Sequence, residues 1–174
     1  MRSLVLLVVL AGSAHAERVG VTYGVDLGLG RTTMRLHNHY SESKVGLRLP
    51  GIQIGQYLRP DLALVLRGTC TTAGYSGESS HSNLWFCAFG LHPQWWFQPT
   101  WFVGPIIGLG LQVQRGSGDD ATRGYALGAR AGHDFAVMGD GVLQISFELV
   151  HVRYGESARF ERSTSGSFMV GWQH

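Results

Sequence analysis

The stretch from Asn83 to Gln114, NLWFCAFGLHPQWWFQPTWFVGPIIGLGLQVQ, decides how the rest of the chain is read. Its second half places Trp101, Val103, Pro105, Ile107, Leu109, Leu111 and Val113 at every second position. Between them stand Phe102, Gly104, Ile106, Gly108, Gly110, Gln112 and Gln114. A period of two separates the sets onto opposite faces of a strand. One face is large and apolar, the other mostly small or polar. A water-facing surface would carry charge, whereas glycine suits a crowded interior. The stretch therefore predicts two strands joined by a turn at Gln98-Pro99-Thr100, with the bulky face toward lipid. Trp95, Trp96, Phe97, Trp101 and Phe102 crowd that turn, as in the aromatic girdle of a membrane barrel.

Working outward, the same alternation recurs. Val19, Val21, Tyr23, Val25, Leu27 and Leu29 alternate with Gly20, Thr22, Gly24, Asp26, Gly28 and Gly30. Val45, Leu47 and Leu49 share one face of a second strand, and a bulge at Pro50-Gly51 lets Ile52 and Ile54 continue it. Leu62, Leu64 and Leu66 begin a third strand. Gly124–Met138 forms a sixth. Leu143, Ile145, Phe147 and Leu149 point outward on a seventh, and Phe168, Val170 and Trp172 on an eighth. Polar segments at 31–43, 74–82, 115–123 and 155–166 read as long loops. Arg59-Pro60-Asp61, Gln98-Pro99-Thr100 and Gly139-Asp140-Gly141 read as tight turns. The expected fold is all-β, an eight-stranded antiparallel up-and-down transmembrane β-barrel in one domain, 17–174.

The amino terminus, MRSLVLLVVLAGSAHA, combines Arg2, an apolar run and a small-x-small ending. It is expected to be a cleaved signal peptide, 1–16. Removing it leaves 174 − 16 = 158 residues, with 14 − 1 = 13 basic and 12 acidic side chains. That balance argues against a nucleic-acid partner. The 25 glycines of the chain are about twice the usual ~7%, an excess that a narrow barrel interior explains.

The turn YLRPDLALVL, the strand WFVGPIIGLGLQV and the terminal FMVGW resemble the small eight-stranded outer-membrane barrels of the OmpA-like and OmpX-like type. The resemblance implies a monomer in the outer membrane of a Gram-negative bacterium, with both termini periplasmic. Its implied partners are outer-membrane lipids, lipopolysaccharide and the barrel insertion machinery, and its implied role is non-enzymatic. No cofactor or metal is expected. His39-Tyr40-Ser41 resembles the His-x-Ser of lipid A deacylase barrels, so His39 and Ser41 are the catalytic pair of an alternative, hydrolase reading. A narrow channel is a further alternative.

Inward parity selects Asp26, Arg48, Arg67, Arg130, Asp134 and Glu148 as an interior charge network. Within it, Arg130 is expected beside Glu148 as a diagonal neighbour, and Asp26 near Arg48. Arg115, Arg123, Arg153, Arg159 and Arg162 gather at the loop end, where arginine forks suit the phosphates of lipopolysaccharide. Cys70 and Cys87 suit an oxidising compartment. Strands flanking a loop centred near Glu78 pair residues whose numbers sum to about 157, which sets Cys70 opposite Cys87 and predicts a disulfide.

Overall fold

The computed structural model describes residues 18–36, 41–77, 80–115, 120–155 and 160–174. Eight strands follow one another: β1 (Val21–Leu36), β2 (Ser41–Arg59), β3 (Leu62–Gly77), β4 (Ser80–Trp96), β5 (Trp101–Arg115), β6 (Asp120–Met138), β7 (Gly141–Tyr154) and β8 (Phe160–Gln173). Each pairs antiparallel with the next, and β1 closes on β8 to complete a barrel. The all-β, eight-stranded up-and-down architecture is the one the alternation predicts. The segment expected to be a signal peptide, 1–16, lies outside the described residues.

The wall is apolar outward along its lower part. Val25, Leu27, Leu29, Ile52, Ile54, Ile107, Leu109, Leu127, Phe147 and Phe168 are all exposed. So many large side chains turned away from the core, on every side of a closed sheet, form the surface of a membrane-spanning barrel. Trp95, Phe97, Trp101 and Tyr23 are about half exposed and mark its lower rim. Trp96 and Phe102 depart from the expected girdle. They are buried inside, with ring centroids 5.6 Å apart, because strand parity turns them away from their neighbours. Tyr57 packs beside Trp96, so aromatic rings fill the lower lumen. Gly132 makes room for this: a Cβ there would meet the Phe102 ring. Gly110 does the same for Val152 higher up.

The lower connections are short. Residues 60–61, 97–100 and 139–140 link the strands there, with Gly139 at φ +66° in the first central position of its two-residue turn. The upper connections differ from expectation. The segments read as long loops are largely paired strand: Arg31 faces Val45 and Arg35 faces Ser41, Gly74 faces Asn83, Leu111 faces Arg123, and Arg153 faces Arg162. Only 37–40, 78–79, 116–119 and 155–159 stand between described strands. Strands of 14 to 19 residues exceed the ~9–11 that cross a bilayer, so the surplus projects beyond the apolar belt. There both faces tolerate polar side chains, the hydrophobic alternation fades, and the backbone ladder continues regardless.

Two bulges shape the lumen. The Pro50-Gly51 bulge appears as predicted: β1 pairs Asp26 with Gly51 and Gly28 with Arg48, so β2 carries one extra residue. A second, at Phe135, shifts β6 against β7, and together with the two-residue turn at 139–140 it sets Arg130 directly opposite Glu148 instead of diagonal to it. Between β3 and β4 every pair sums to 157. Cys70 and Cys87 are partners with Cα atoms 4.0 Å apart, and they are disulfide-bonded.

Candidate functional site

Two features can carry function: the charged lumen and the outward arginines above the apolar belt. The lumen is built by inward parity on β1, β2, β3, β6 and β7. Asp26, Arg48, Arg67, Arg130 and Glu148 are each at most 3% exposed. Arg67 is the hub. Its Nη1 lies 2.7 Å from Asp26 Oδ2, and its Nε donates to Glu148 Oε2 at 2.8 Å. Arg48 pairs with the other oxygen of Glu148. Arg130 Nη2 reaches Asp26 Oδ2 at 3.5 Å, and its guanidinium also donates to Ser146 Oγ and to Gln53 Oε1. Gln53 Oε1 accepts from Arg67 as well.

Five of the six expected members are thus brought together, Asp134 being the exception, and the expected partners are corrected. Arg130 does not take Glu148, although their Cα atoms are paired; it takes Asp26. Asp26 does not take Arg48; it takes Arg67 and Arg130. The reason is closure. Inward side chains of a small barrel meet across the lumen, so the Arg67 guanidinium on β3 reaches the Glu148 carboxylate on β7, as far away around the wall as the sheet allows.

Asp134 belongs to a separate, lower tier. Its Oδ2 accepts from Arg18 at 2.8 Å and from Trp96 Nε1 at 3.1 Å, while Oδ1 accepts from Gln144. Arg18 was not among the predicted network. Its guanidinium lies 4.4 Å from the Trp96 ring centroid and donates to the carbonyl of Pro99. A residue ahead of the first strand offers no strand parity, so no periodic signal could have found it. Gln53, Gln94, Gln144 and Gln173 fill the space between the tiers through shared amide hydrogen bonds. Their inward parity was legible; their joint role was not.

Above the belt, the outward positions of β1, β8, β7 and β6 carry Arg35, Arg162, Arg153 and Arg123. Arg162 is the register partner of both Arg35 and Arg153. Arg153 in turn faces Tyr125, one outward position below Arg123. Arg123 and Arg153 flank a shallow surface groove lined by Leu109, Gly124, Tyr125 and Tyr154. Of the predicted loop arginines, Arg159 lies outside the described residues. Arg115 ends β5, and its side chain is outside them too.

For the hydrolase alternative, His39 lies outside the described residues. Ser41 opens β2, exposed and opposite Arg35. Among the described residues nothing joins it to a base. His151 faces outward, its Nδ1 2.9 Å from Thr164 Oγ1.

No protein-family profile matches the chain, and no curated protein sequence does. The fold is nevertheless shared with solved structures. Neisserial surface protein A superposes with a TM-score of 0.63 at 17% identity, over 87% of this chain and 95% of that one. Ail, the attachment invasion locus protein of Yersinia pestis, gives 0.55 at 12% identity, over 90% and 99%. A second structure of Ail, in complex with the heparin analogue sucrose octasulfate, gives 0.54 at 12%, over 89% and 99%. The chain has the fold of these small eight-stranded outer-membrane barrels.

Proposed function

We propose that the chain is a non-enzymatic barrel of the Gram-negative outer membrane, with both termini periplasmic. It supports membrane integrity or surface interaction by holding phosphate groups of lipopolysaccharide against Arg123, Arg153 and Arg162. One observation carries this reading: the like charges of Arg162 and Arg153 in direct register on the outer wall. Like charges placed opposite one another destabilise a sheet. They are tolerable where anions sit among them, and guanidinium forks bind phosphate in two-pronged fashion. The side chains of Arg123 and Arg153 project sideways from the wall above Leu127 and Leu149, on the outward face of β6 and β7, and not upward from the loops. Glu161 stands beside Arg162 on β8 and supplies one negative charge against the positive charges of Arg123, Arg153 and Arg162.

The test compares two environments. In lipopolysaccharide-free micelles, Arg162→Gln should raise the melting temperature by relieving repulsion. In bilayers with lipopolysaccharide in the outer leaflet it should lower it. A change of the same sign in both would refute phosphate binding at this rim. If sucrose octasulfate in micelles reproduces the bilayer effect in the parent protein, while lipopolysaccharide does not, the rim serves a soluble polyanion instead.

A further inference from the structure

The upper tier of the lumen holds three guanidiniums, Arg48, Arg67 and Arg130, against two carboxylates, Asp26 and Glu148. Arginine does not lose its proton in proteins. Even with both carboxylates ionised, the tier carries 3 − 2 = 1 excess positive charge. The only other buried ion pair among the described residues, Arg18 with Asp134, is balanced in itself and sits a tier lower. An uncompensated charge removed from water is costly, and proteins normally pair it.

A chamber lies directly above this tier. Arg48 and Glu148 form part of its lining, with Thr69, Thr71, Ser163 and Ser165 around it and Phe86, Val150 and Val152 completing the wall. Its cavity volume is about 20 Å³, room for about one water-sized occupant. Two buried polar atoms of this lining have no hydrogen-bond partner: Arg48 Nε and Thr69 Oγ1, on residues 3% and 8% exposed. Both are donors in search of an acceptor. The chamber therefore combines an excess positive charge, an unsatisfied guanidinium N–H, a ring of hydroxyls and space for one small occupant.

We propose that this chamber binds one small monovalent anion, of the chloride class, held by Arg48 Nε and the Thr69 hydroxyl. A water could satisfy the two donors but would leave the charge. The anion satisfies both, and the apolar upper wall of Phe86, Val150 and Val152 shields it. A larger oxyanion does not fit the volume. The site is internal and independent of the outward arginines, so it stands or falls apart from the lipid reading.

The experiment uses the purified, folded barrel and bromide as probe. Crystals grown in sodium bromide should show one bromine anomalous peak within hydrogen-bonding distance of Arg48 Nε. A chamber occupied by water alone, with no such peak, overturns the proposal. In micelles the melting temperature should rise saturably with chloride over gluconate at equal ionic strength. Arg48→Gln balances the tier at two against two and should abolish that dependence; a dependence that survives in the variant places the anion elsewhere and also overturns it. Should Arg48→Gln fail to fold, Thr69→Val decides. Loss of one hydrogen bond to an ion should weaken the chloride midpoint by about tenfold or more, and an unchanged midpoint rejects the site.

Discussion

Arg130 and Glu148 are directly opposed in the β6–β7 ladder, yet each takes its ion-pair partner from another strand: Glu148 holds Arg48 and Arg67, and Arg130 reaches Asp26. The wall pairs residues one way and the lumen pairs them another. Stability therefore depends on bonds that cross the interior, and these tie β1, β2, β3, β6 and β7 into one unit.

Glu148→Ala should strand Arg48 rather than Arg130, and leave Arg67 with Asp26 as its one carboxylate. Breaking a buried pair from one side costs about 3–5 kcal/mol, and two arginines lose a partner here. Asp26→Ala should cost less, because Arg67 keeps Glu148 and Arg130 keeps Ser146 and Gln53 as acceptors. Equilibrium unfolding in urea, followed by the gel-mobility shift of the folded barrel, measures both. A Glu148→Ala variant that unfolds at the parent's urea midpoint would show that the network does not hold the barrel.

Arg18→Ala should open the lower lumen. Asp134 keeps Gln144 and Trp96 as donors, so the loss is that of a charged hydrogen bond, about 1.5–3 kcal/mol. Trp96 also loses the guanidinium over its ring. Acrylamide should then quench Trp96 fluorescence more strongly, read in a background where the other tryptophans are phenylalanine. Equal quenching in parent and variant would mean that Arg18 does not cap this end.

Gly132→Val should overpack the aromatic layer, because its Cβ would meet the Phe102 ring. Overpacking costs about 1–3 kcal/mol. Gly132→Val combined with Phe102→Leu should recover much of that loss. A double variant no better than the single one would exclude this contact as the cause.

The Cys70–Cys87 bond staples β3 to β4 beneath their hairpin. In the chain-entropy model a closed loop of this length contributes about 3 kcal/mol. Protein alkylated before unfolding and weighed without reduction should carry no added label, and Cys70→Ser with Cys87→Ser should melt lower. Two labelled thiols in freshly prepared membranes would contradict the bond.

What was legible in the sequence follows from where a period of two has physical meaning. Within the belt, lipid on one side and a packed lumen on the other enforce alternation, so the centres of all eight strands, the Pro50-Gly51 bulge and the Cys70–Cys87 register could be read. Above the belt the constraint lapses, and Arg31–Ser43 or Gly155–Gly166 read as loop although most of each is paired strand. The membership of the charge network was legible because Asp26, Arg67, Arg130 and Glu148 have inward parity. Their pairing was not. It depends on the Phe135 bulge and on how β2 and β3 face β7 after closure, which no local pattern encodes. Trp96 shows the limit at a finer scale: an aromatic beside a turn suggests the girdle, and only its parity sends it inside.

In the proposed function, the apolar-out, polar-in barrel crosses the outer membrane with its long hairpins outside. Single cysteines at Gly77 and at Asp140, each in a Cys70→Ser and Cys87→Ser background, test it most directly in intact Gram-negative cells. A membrane-impermeant maleimide should label position 77 at once, and position 140 only after the outer membrane is permeabilised. Labelling of 140 but not 77 in intact cells would contradict the orientation, and equal labelling of both would contradict the membrane-spanning barrel itself.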